Sequence, residues 1–216
     1  MNNYAIICLF VAAILLWFPR SWLRLGARIT PKPPRKYNQT KEERDVYDNS
    51  VKPLTEAAKP RNWIDLARGA IGAVTVVFSL QELLSSTENK GVVLYCSVGM
   101  LLVAVCIQMI RLEGRLSLFA PIFFLQGMAV GLIGPLAGLL AMVGTWALSP
   151  VLPNSSTVLF VQGGLAVCLA LLLPDSDLAL ALVVGALTWL PVLTAVLTHR
   201  RLAANFDKKM KVMPRA

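Results

Sequence analysis

Hydropathy divides the chain into long apolar stretches separated by short polar ones. Residues 4–18, 69–84, 91–110, 116–148, 157–173 and 178–198 are almost free of charge, whereas 20–62 and 200–216 are densely charged. A bilayer core of about 30 Å takes roughly 20 apolar helical residues to cross, which is the scale of these stretches. The runs lack the period-two alternation of barrel strands, and in lipid a helix pairs its backbone groups within its own segment. The pattern predicts an all-α, polytopic membrane bundle: about five full transmembrane helices plus a broken or re-entrant segment at 116–148. The corresponding organisation is an N-terminal anchor (1–19), a basic cytoplasmic loop with short helices (20–62), a helix bundle (63–199) and a basic cytoplasmic tail (200–216).

Composition agrees with this division. Of 216 residues, 56% are hydrophobic and 15% charged, with a mean hydropathy of +0.63, outside the range of ordinary soluble domains. The first stretch is expected to be a retained anchor, not a cleaved signal, because basic residues follow it and Pro19, Arg20 and Trp22 occupy its exit. Charge then sets the orientation. The net charge is +9, yet 20–62 holds eleven basic residues against five acidic ones, and 200–216 holds six against one. Basic loops stay on the cytoplasmic side, so both segments are expected there.

That requirement creates a parity problem at 116–148. If the segment crosses once, the basic tail ends on the wrong side. At 33 residues it would make a helix about 50 Å long, too long for one upright span and short of two. Its centre reads "GLIGPLAG", where Pro135 removes a helical hydrogen bond and Gly131, Gly134 and Gly138 let the backbone bend or be approached closely. Two short helices meeting at Gly134–Pro135, entering and leaving on the cytoplasmic side, restore the parity. The alternative is one tilted, kinked helix whose first dozen residues lie in the interface.

Polar residues within or beside the apolar stretches are the candidate sites. Asp65 and Arg68, three apart, suit an interfacial ion pair. Arg20, Arg24 and Arg28 recur every four residues, one face of a juxtamembrane helix able to contact anionic lipid headgroups. Gln162 is expected to make an interhelical hydrogen bond. Pro191 should kink the last span, with Thr188 placed to bond the backbone group it frees. Asp177 or Ser176 should cap the last helix.

Absent motifs narrow the function. There is no Walker loop, no H-E-x-x-H and no G-x-S-x-G. A single histidine, His199, rules out a haem ligated by two histidines of this chain. The four cysteines lie in apolar stretches without metal-type spacing and read as small packing residues. No cofactor, metal site or nucleic-acid partner is expected, since the basic tail has one aromatic residue, Phe206. The leading expectation is a non-catalytic subunit or assembly factor of a larger membrane complex, with membrane lipids and other membrane subunits as partners. It would reside in a bacterial inner membrane or a eukaryotic organelle membrane. The second is a small transporter or channel for a neutral solute or lipid, its pathway beside Gln126, Gly131, Gly134, Pro135, Gly138, Gln162, Thr188 and Pro191. A third is an enzyme acting on a lipid headgroup through Asp65, Arg68 and the basic loop.

Overall fold

A computed structural model describes residues 3–19, 59–86, 88–113, 115–152, 154–173, 177–199 and 202, with backbone alone for Asn3 and within 111–117. Among these, the chain forms seven helices and one short β ribbon. The elements are α1 (Asn3–Trp17), α2 (Pro60–Ser86), α3 (Lys90–Met109), β1 (Ile110–Glu113), β2 (Arg115–Leu118), α4 (Ile122–Ile133), α5 (Pro135–Leu148), α6 (Ser155–Leu172) and α7 (Leu178–Leu197). Four of them, α2, α3, α6 and α7, are long and apolar enough to cross a membrane. Five full spans were expected. The shortfall is α1, whose 15 residues make about 22 Å of helix. It stops at Trp17 because Phe18 precedes Pro19, and a residue before proline avoids the helical region.

Residues 110–118 depart from the sequence reading. In place of the end of the third span, a basic connection and the start of the segment 116–148, they form an antiparallel ribbon that pairs Ile110 with Leu118. The helix begins only at Ile122, immediately after Pro121.

Two helices account for 122–148, and the chain reverses between them. Gly134 has φ 93° and ψ 157°, a region open essentially to glycine alone. Pro135 then begins α5 at a position where its missing N–H costs nothing. The reversal is visible in two contacts: Gly138 lies against the backbone of Val130, and Trp146 Nε1 donates to Gln126 Oε1 at 3.1 Å. A continuous helix would put those last two residues about 30 Å apart.

The core is built around α4. It touches α2, α5, α6 and α7, and of its twelve residues only Val130 escapes full burial. An apolar surface all round suits a helix enclosed on every side. Its tightest contact is with α2. Gly127 faces Leu66 O and the Ala70 amide, Gly131 faces Ala70 O and the Ala73 methyl, and Gly69 of α2 faces Phe124 O. The two backbones are therefore in direct contact, with no room for a Cβ between them.

Contacts also show which helix ends share a face. Arg68, near the start of α2, reaches Phe18 at the exit of α1. Gln108, at the end of α3, reaches the same carbonyl. Trp146 of α5 packs edge-on against Trp63 of α2, centroids 6.2 Å apart, and against Phe123 of α4 at 5.8 Å. Thr194 of α7 donates to Met109 Sδ of α3 at 3.2 Å, and Ser155 at the start of α6 donates to Leu202 O. One face thus gathers the ends from which the basic segments 20–58 and 203–216 leave.

Replacing Gly127 or Gly131 with leucine should lower the melting temperature of the detergent-purified protein sharply. The facing groups are backbone and cannot yield, which puts the cost at or above the upper end of about 1–3 kcal/mol for overpacking. Gly164→Leu is the control, because a side chain there meets open space. If all three variants melt alike, the α2–α4 contact is not what holds the bundle together.

Candidate functional site

The largest polar group inside the described structure lies where α1, α2 and α3 meet. It starts at the end of α1, where the carbonyls of Leu16 and Phe18 lie at or just beyond the last helical residue, Trp17. Two side chains from other helices reach these carbonyls. Gln108 Nε2 donates to Leu16 O at 3.1 Å and to Phe18 O at 2.8 Å, and Arg68 Nη1 donates to Phe18 O.

Arg68 also joins the site together. Its Nη2 donates to Asp65 Oδ1 at 3.1 Å and to Gln108 Oε1 at 3.1 Å, and its guanidinium lies 5.4 Å from the centre of the Phe124 ring. The helical spacing of three places Asp65 beside it on α2. A guanidinium at the negative end of α1, with a carboxylate and an aromatic face as further partners, is favourably placed for its charge. Asn62, Asp65, Arg68 and Gln108 are all buried, the ion pair at 1% and 7% exposure.

An ion pair exposed at the interface was expected from the sequence. Here it is enclosed, because the exit of α1 and the end of α3 close over it. Burial changes its energetics: an exposed pair contributes under about 1 kcal/mol, whereas a buried one depends on every hydrogen bond being in place. Gln108 and Asn62 were missed. The signal for Gln108 was available, a lone amide near the end of the apolar run 91–110, and such amides in membrane helices usually bond a neighbouring helix.

Several of the residues proposed for a pathway make packing contacts instead. Gly131 is packed against α2 and Gly138 against α4. Gln126 is fully buried and its oxygen is taken by Trp146. Gln162 is also fully buried, but neither of its amide atoms has a hydrogen-bond partner among the described residues, so the expected interhelical bond is not formed. Thr188 donates to Val184 O at 2.6 Å, not to the Leu187 carbonyl that Pro191 frees, since the hydroxyl reaches its own preceding turn first. Pro191 sits inside α7, which continues through it.

Asp177 caps α7, accepting from Ala179 N at 2.8 Å and Leu180 N at 3.4 Å. Cys96 and Cys168 are exposed, not packed inside. Arg20, Arg24 and Arg28 lie outside the described residues. No group of three or more metal-ligating side chains occurs among the described residues. No protein-family model, curated protein or solved structure matches the chain.

Chemically the cluster is a clamp. The donors Nη1 and Nη2 of Arg68 and Nε2 of Gln108 go to main-chain carbonyls, to the buried carboxylate and to the Gln108 oxygen. Arg68→Met breaks the buried pair with Asp65 and should cost about 3–5 kcal/mol. The double variant Asp65→Leu/Arg68→Met should recover much of that loss in thermal unfolding in detergent, and equal loss in both would show that the ion pair is not the unit that matters. Gln162→Leu should raise stability by about 1–3 kcal/mol, because it removes two unpaired polar atoms from the core; a lower melting temperature would show that the amide has a partner.

Proposed function

We propose that the chain is a non-catalytic multi-pass membrane subunit that holds its basic segments together on the cytoplasmic face. In this reading α1, α2, α3, α6 and α7 cross the bilayer. The α4–α5 hairpin, whose helices of 12 and 14 residues make only about 18 and 21 Å, enters and leaves on one side.

The observation that carries the reading is the clamp. Residues 20–58 connect α1 to α2, and the chain at both ends of that connection is joined by the hydrogen bond from Arg68 to Phe18. A cationic loop of that length, held at both ends on a rigid base, suits a docking element for anionic lipid headgroups and for partner subunits. The glycine-mediated contacts of α4 support a scaffold over a conduit, because Gly131 and Gly138 are packed against neighbouring backbone. Large apolar side chains exposed on α2, α3, α6 and α7 supply surface for lipid or for neighbouring helices.

Affinity purification from native membranes in a mild detergent should bring other membrane proteins with the chain. The protein reconstituted alone in liposomes should show no solute flux. Flux that falls when Pro135 or Gly134 is replaced by leucine would favour the transporter reading instead. A tag after Ala216 should be cytoplasmic, and its appearance on the opposite face would end the proposed topology.

A further inference from the structure

The α4–α5 hairpin does not run the full length of the bundle, and its shortness has a structural consequence. Helix α4 ends at Ile133, level with the middle of α2, since Gly131 packs on Ala70 and Ala73. Beyond its tip, α2, α3 and α7 enclose a cavity of about 110 Å³. Val76 and Leu80 of α2, Leu94 and Leu101 of α3, and Leu180 of α7 line it, and Leu132 closes it at the hairpin end.

Its walls are apolar. Ser97 is the one lining residue with a polar side chain, and its hydroxyl already donates to Val93 O at 2.9 Å. Such a space gives water nothing to bond, and dry cavities of this kind, about 150 Å³ in an engineered case, take up hydrocarbon. It is open to the surroundings along α3, where Leu94 is 43% exposed.

Charges of both signs precede the wall residues on the helices that carry them. Lys90 is exposed and begins α3 one turn before Leu94, on the helical row that continues through Ser97 and Leu101. Asp177 caps α7 two residues before Ala179, another wall residue. A cation and an anion preceding the walls of an apolar slot are complementary to a zwitterionic lipid.

We propose that this cavity holds a segment of one acyl chain of a zwitterionic phospholipid from the leaflet opposite the basic segments. The phosphate lies at Lys90 and the headgroup ammonium toward Asp177. The inference rests on the membrane topology proposed above.

The test uses the full chain in phosphatidylcholine vesicles doped with phosphatidylcholine carrying a diazirine midway along one acyl chain. After illumination, adducts should concentrate on the peptides containing Leu94–Leu101 and Ala179–Val183, several-fold above those on the outward residues Phe160 and Leu193. Val183→Phe, which fills the cavity, should reduce the cavity adducts several-fold while leaving the outward ones unchanged. Lys90→Gln, at an exposed position that leaves packing intact, should reduce them as well. Unchanged cavity labelling in either variant, or labelling of outward faces alone, overturns the proposal while leaving the topology standing. An absence of adducts anywhere would remove the topology and the proposal together.

Discussion

The backbone contact between α2 and α4 is the constraint from which the rest of this bundle follows. Between helices surrounded by lipid there is little hydrophobic gain from association, so packing has to come from close approach. Glycines at 69, 127 and 131 provide it by removing the Cβ atoms that would hold the two backbones apart. Once α4 lies against α2, its remaining surface is covered by α5, α6 and α7, and a helix without a polar face becomes the interior of the protein. Gly131, which the sequence offered for a passage, is one of these contact points.

The same contact brings the polar clamp into being. Phe124, in the first turn of α4, is held over the Arg68 guanidinium because Gly69, the next residue on α2, lets the Phe124 carbonyl approach closely. Enclosing an arginine and an aspartate costs several kcal/mol in desolvation, which hydrogen-bond partners offset. Here the partners include carbonyls at the end of α1 and the Gln108 amide, while the buried Arg68 Nε has no partner among the described residues. The result joins the exit of α1 to the start of α2.

Helix lengths give the bundle its asymmetry. At the face that gathers the basic segments, seven helix ends and an ordered ribbon crowd together. At the other, the hairpin has already turned back, and three helices stand around an apolar hollow. This difference between the two halves is a property of where Gly134 lies along the chain, since its backbone angles are closed to other residues and the turn cannot migrate.

The sequence by itself determined the helical class, the presence of four apolar helices long enough to cross a membrane, and the cap at Asp177. Each of these is local: apolar run length, or a side chain bonding its own backbone. Only the tertiary structure decided the rest. It buried Asp65 and Arg68, recruited Gln108 from 40 residues away, left Gln162 unpaired, and turned Gly131 and Gly138 into contact points. Those outcomes depend on which helix lies opposite. Hydropathy is nearly uniform around α4 and its neighbours, so the sequence carries almost no record of which face meets which partner; that is settled by shape, at the few positions where a side chain is missing.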